Sequence, residues 1–93
     1  MNQVSVVQVT EPLEDDAVPR WEQLIFEVAS RRPRELVLDL AGADRIDENA
    51  LVLLLRVNHR MTVGNGRLVL RGLNTQMRRT LSYGRADRVF DIV

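Results

Sequence analysis

The stretch ELVLDLAGADRIDENALVLLL, residues 35–55, decides the fold. Its opening run Leu36-Val37-Leu38 is short and apolar throughout, which reads as a strand over 35–40 with both faces covered. Residues 41–46 hold a glycine and two charged side chains and read as a loop. Asp47 is a good helix N-cap, because its carboxylate can accept from the free N–H groups of the first turn. Apolar residues then recur at helical spacing and predict a helix over 48–63. Gly64-Asn65-Gly66 closes it, with glycine available for a left-handed cap. RLVLR, residues 67–71, is a second short strand. Strand, helix and strand in this order form a βαβ unit, so the strands run parallel with a right-handed crossover. The loop 41–48 then lies at the carboxyl end of a parallel strand, where open α/β sheets usually meet ligands and partners.

The pattern extends in both directions. VSVVQV, residues 4–9, is rich in β-branched side chains and reads as a strand, ended by Glu11-Pro12. An acidic turn leads into a helix over 16–30. Pro19 is tolerated in its first turn, and Trp21, Leu24, Ile25 and Val28 share a face. Acids early and Arg31-Arg32 late suit the helix dipole, and Pro33 stops the helix. Beyond residue 71, Gly72-Leu73-Asn74 turns into a helix over 75–83, capped by Asn74 and ended by Gly84. Residues 89–93 read as a short terminal strand. The expected architecture is α/β: one small domain over residues 1–93, with a mostly parallel four-stranded sheet and helices 16–30, 48–63 and 75–83.

Composition excludes several classes. The apolar fraction of 45% and charged fraction of 28% are ordinary globular values, so a disordered chain is not expected. No apolar run approaches the length of a membrane span, and Met1-Asn2-Gln3 lacks the basic start of a signal peptide. Without cysteine there is no disulfide framework and no thiolate chemistry. A cytoplasmic location is the simplest reading. Formal net charge is zero, yet residues 1–50 hold eleven acids against five arginines and residues 51–93 two acids against eight arginines. This asymmetry can orient a partner or favour self-association.

The residues quoted above resemble the STAS family of anti-sigma factor antagonists. Residues 35–55 look like that family's strand, loop and switch helix, whose usual motif is Asp-Ser-Ser-Gly-Leu. GNGRLVLRGLNTQMRRTL looks like the following turn, strand and helix, and YGRADRVF resembles the closing Gly-Leu-Asp-Arg-Leu-Phe with one extra residue. VVQVTEPLEDDAV looks like the family's second strand and acidic loop. A preceding strand and a final helix usual in the family have no counterpart here. In the family, the second serine of the motif is phosphorylated by an anti-sigma factor that is itself a kinase, and the unphosphorylated form binds that factor. The corresponding residues here are Asp47, Glu48, Asn49, Ala50 and Leu51. Asn49 stands where the phosphoserine would be, so the resemblance implies a binding module with a degenerate, non-phosphorylatable switch.

On a helical wheel, Ala50, Leu51, Leu54, Val57, Asn58 and Met61 face inward. Asn49, Val52, Arg56, His59, Arg60 and Val63 face outward. Two valines on this outer face suggest a contact surface. The candidate switch and partner-binding residues are Asp44, Asp47, Glu48, Asn49, Ala50, Val52 and Arg56. No hydroxyl residue lies within 41–50 to replace the missing serine.

Enzyme readings fare poorly. His59 is the one histidine and has no neighbouring Ser–Asp pair. Asp39, Asp44, Asp47 and Glu48 could hold Mg²⁺, as in a receiver domain. That chemistry also needs a lysine, and the chain has none. Asp47 is better read as a cap, Asp44 as a partner of Arg45 or Arg56, and Asp39 as an acceptor from loop amides. Gly64-Asn65-Gly66 follows a helix and lacks Gly-Lys-Ser/Thr, so it is not a phosphate loop. The arginine-rich C-terminal half has too few aromatic residues for a nucleic-acid stacking platform. The expectation is therefore a cytoplasmic module without catalytic residues, metal or cofactor, binding neither nucleic acid nor membrane. It would regulate transcription by partner switching on an anti-sigma factor of the serine-kinase type. Alternatives are a STAS accessory subunit of an ABC lipid transporter and a self-associating scaffold of a stress-signalling assembly.

Overall fold

The computed structural model describes residues 3–93; Met1 and Asn2, within the stretch read as lacking a signal, lie outside the described residues. Four strands, β1 (Val4–Gln8), β2 (Glu35–Asp39), β3 (Arg67–Arg71) and β4 (Asp91–Ile92), form one sheet in the order β1-β2-β3-β4. Every neighbouring pair is parallel. Three α-helices connect them: α1 (Ala17–Ala29), α2 (Glu48–Val63) and α3 (Thr75–Ser82). No helix among the described residues is long and apolar enough to cross a membrane.

A sheet whose strands follow chain order, joined by crossovers of one hand, must collect its helices on one face. The core shows this arrangement. Val7, Leu36, Leu38, Leu68 and Leu70 join one cluster with Ile25 of α1, Leu53, Leu54 and Val57 of α2, and Met77 and Leu81 of α3. Val37 and Val69, whose side chains alternate to the other face, are outside that cluster. Both faces are covered, as the apolar run implies, but helices cover only one of them. Three register rows line the second face. Val4, Glu35 and Arg67 form the first; Val6, Val37, Val69 and Asp91 the second; Gln8, Asp39 and Arg71 the third. Arg67 pairs with Glu35 at 3.2 Å and Asp91 at 3.4 Å, and Arg71 with Asp39 at 3.2 Å. These long side chains flank the valine row, so Val37 and Val69 are only 6% and 4% exposed without a covering helix.

Several boundaries differ from the sequence reading. α1 starts at Ala17, one residue after Asp16, and its first turn carries no acid. The acids before it belong to a turn in which Asp15 takes positive φ. Leu24, read with the inward face of α1, is exposed, whereas Ile25 is fully buried. At the end of α2 the left-handed residue is Asn65, not a glycine: Gly64 has φ −84°. Gly66 is needed for space, since a Cβ there would come within 3.0 Å of the Pro33 carbonyl oxygen. α3 ends at Ser82 and passes into a 3₁₀ segment, Tyr83–Arg88, in which Gly84 and Arg85 are both left-handed. Val89 and Phe90, read as the start of the last strand, lie in the turn that follows this segment, which leaves β4 two residues long.

Candidate functional site

The site is built where three loops meet above the carboxyl ends of the strands. Leu13, after β1, forms an isolated parallel bridge with Ile46, after β2. Its N–H donates to the Arg45 carbonyl at 3.1 Å, and its carbonyl accepts from the Asp47 N–H at 3.3 Å. Arg45 holds Glu14 through both carboxylate oxygens. From the first turn of α3, after the third loop, Gln76 grips Ile46 on both sides. Its carbonyl oxygen accepts from the Ile46 N–H at 3.1 Å, and its amide donates to the Ile46 carbonyl at 3.0 Å. Asn74 caps α3 by accepting from the Met77 N–H, and its amide donates to the Asp44 carbonyl. Gly72, at φ +80°, lets the third loop approach: a Cβ there would come within 2.8 Å of the Ala41 nitrogen. The loop that leads into α2 is thereby fixed by backbone contacts.

Asp47 is the centre of this arrangement. Its backbone is extended, and one carboxylate oxygen accepts from the Ala50 N–H at 2.9 Å, which caps α2 as its sequence position implies. The other oxygen accepts from the Asp15 N–H at 3.0 Å and, weakly, from the Asn49 side-chain amide at 3.4 Å. Burial is the largest single influence on this carboxyl and works to raise its pKa. The N–H groups of Asp15 and Ala50 and both amides of Asn49 together outweigh it, so the group titrates below the ordinary carboxylate range. Asp39 also titrates low. The Ala41 N–H does most of this, against burial, with help from Arg71. Asp39 thus bonds a loop amide as expected.

Asp44, Glu48 and Asn49 are exposed around the cap, and Ala50 is fully buried beneath it. Asp44 sits at φ 67°. Its expected partnership with Arg45 or Arg56 does not occur: Arg45 pairs with Glu14 and Arg56 with Glu22, each at 2.9 Å. No group of three or more His, Cys, Asp or Glu residues that could hold a metal is present among the described residues. Asn49 and Val52 line a cleft of about 310 Å³ with Asp15, Val18, Pro19 and Glu22. Val52 also lines a second groove, of about 540 Å³, that continues between α1 and α2 past Phe26 to Val63.

Val52 and Val63 are thus exposed, at 55% and 68%. Leu55, absent from the outward arc of the wheel, joins the same stripe. Its spacing of three from Val52 was the available signal. Leu53, also left off the wheel, is buried with Leu54. Phe26 could not have been found from the α2 pattern, since it enters the groove from another helix. Arg56 lies over its ring at 5.4 Å from the centroid.

The site is thus a polar helix start beside an exposed apolar stripe on a small parallel α/β scaffold. A family model described as "Mlab, STAS domain" matches residues 2–93, and the chain belongs to this family of STAS domains. No curated protein sequence matches it. Among solved structures, an anti-sigma factor antagonist from Mycobacterium paratuberculosis is 24% identical with a TM-score of 0.87, covering 99% of this chain and 78% of its own. A candidate anti-sigma factor antagonist of Thermotoga maritima is 18% identical with a TM-score of 0.86, covering 99% and 80%. The Bacillus cell fate determinant SpoIIAA, in its phosphorylated form, is 14% identical with a TM-score of 0.74, covering 100% and 85%. At these identities the likeness is one of fold.

Proposed function

We propose that this domain is a binding module of the anti-sigma factor antagonist kind, regulating transcription by partner switching without phosphorylation at the usual position. Its partner is an anti-sigma factor of the serine-kinase type, and its setting the cytoplasm. The observation that carries this reading is the exposed, neutral Asn49, held beside the Asp47 cap at the mouth of a cleft it shares with Val52. A phosphoserine there would bring about −1.5 to −2 charges to a rim that already holds Asp15, Asp47 and Glu48. Asparagine keeps the position uncharged, as in an unphosphorylated, binding-competent switch. Asp44, Glu48, Asn49, Val52 and Arg56 form the partner surface in this reading. Asp47 and the buried Ala50 seat the helix that presents it.

A pull-down from native extract with wild type and Asn49→Asp tests the reading. The added charge weakens partner capture by about tenfold, equivalent to ~1.4 kcal/mol. Equal capture by both proteins would sink it. The second reading is a STAS subunit of an ABC lipid transporter, gripping the ATPase. The length of the apolar stripe favours it, because permanent interfaces are more apolar than switching ones. Recovery of a transporter ATPase, in place of an anti-sigma factor, selects that reading.

A further inference from the structure

The groove between α1 and α2 extends beyond what a switch at the start of α2 requires. Val52, Leu55, His59 and Val63 follow one another at helical spacing on the outer face of α2, and Phe26 of α1 forms part of the opposite wall. From Val52 to Val63 the stripe is about 16 Å long at 1.5 Å per residue. That length matches three turns of a docked helix. The apolar lining stays open to solvent, with Leu55 37% exposed between the two valines. A small ligand would be poorly enclosed there, since ligand pockets bury most of their occupant's surface.

Charge is distributed unevenly along this furrow. The upper cleft is lined by Asp15 and Glu22. No acid lines the groove below it, where Arg56, His59 and Arg60 stand. A hollow continuing from Val63 adds Arg32. Arg56 is neutralised by Glu22, but Arg60 and Arg32 have no ion-pair partner among the described residues. A second copy of this chain fits badly. A two-fold contact centred on the stripe would bring the unpaired Arg60 of both copies together, which like charge opposes.

We propose that the furrow between α1 and α2 receives an amphipathic helix of a protein partner, with an apolar stripe over Val52, Leu55 and Val63 and carboxylates over Arg60 and Arg32. Such helix-in-groove docking is read through anchors at i, i+3 or i+4, and i+7. The inference rests on the reading of the chain as a protein-docking module. It adds a second contact, of opposite charge, to the acidic rim around Asn49.

The test uses two synthetic helical peptides of three to four turns with the same leucine stripe. One carries glutamates toward one end and the other lysines in their place. Titrated into the ¹⁵N-labelled domain, the glutamate peptide shifts the amides of Phe26, Val52, Leu55, His59 and Val63. It binds about fivefold more tightly than the lysine peptide, as two exposed ion pairs would give. Arg32→Glu/Arg60→Glu reverses that preference. Equal binding of both peptides, shifts outside the furrow, or no saturable shift overturns the proposal. So does concentration-dependent dimerisation through these residues in sedimentation without peptide, which would assign the groove to a second copy. The peptide titration reads the furrow and the Asn49→Asp pull-down reads the start of α2, so failure here and failure of the switch reading give different results.

Discussion

The two faces of the sheet are shielded by different means, although the same strands build both. On one face Leu36, Leu38, Leu68 and Leu70 are interdigitated with three helices and almost completely removed from water. On the other, Val37 and Val69 are nearly as buried, but their cover is the side chains of Glu35, Arg67, Asp91, Asp39 and Arg71. The first face has no room to relax. The second has water close to the charged groups and arms that can move. Equal exposure therefore does not mean equal energetic weight, and this difference is measurable.

The largest expected effect is Leu38→Ala. Leu38 is fully buried in the helix-covered core, and truncation there removes three carbons from a space that cannot collapse. A loss of ~3 kcal/mol in urea unfolding follows from comparable core truncations. A domain of this size has a modest margin, so the variant is close to unfolded at moderate denaturant. Val37→Ala, one residue earlier and on the other face, should cost about 1–2 kcal/mol, because fewer carbons are lost and the flanking charged arms can settle inward. If Val37→Ala matches or exceeds Leu38→Ala, the two faces are equivalent and the comparison fails.

The division of the sheet was partly legible. The alternation Glu35, Val37, Asp39 in one strand against Arg67, Val69, Arg71 in the next already describes an open face with facing charges. Reading Leu36-Val37-Leu38 only as a continuous apolar run hid that pattern, because a run of three does not say what covers each side. The loop and helix start at 41–50 were legible because capping is local chemistry: Asp47 and Asn74 both accept from N3 N–H groups as their positions imply. The partners of Asp47 and Ile46 from distant segments, Asp15 and Gln76, depend on tertiary approach and leave no local signal. Phe26 in the α1–α2 groove was hidden for the same reason.

Acid should discriminate within the polar network. Asp39, on the open face, and Asp47, at the α2 cap, both titrate below their ordinary range. A carboxyl whose folded pKa is depressed contributes stability that is present above its unfolded pKa, about 3.9 for aspartate, and lost as pH falls through the folded value. Unfolding free energy should stay flat toward pH 5 and fall below about pH 4. Asp47→Asn and Asp39→Asn should each flatten that fall. A wild-type curve without an acid limb would show that neither carboxylate has a stronger hold in the folded state.

The smallest effect belongs to the ion pairs themselves. Arg67 bridges Glu35 and Asp91, but its side chain is 56% exposed, and exposed pairs contribute little after screening and side-chain ordering are counted. Arg67→Met keeps a comparable stem over Val69 while removing the charge, and should change stability by less than about 1 kcal/mol. Arg67→Ala removes the stem as well and should cost more. The order of these two variants decides what covers the open face. If Met and Ala are equally destabilising, and 1 M salt weakens the wild type to the same extent, charge is the cover. If Met is close to wild type in both low and high salt, the arginine acts chiefly as hydrocarbon over the valine row.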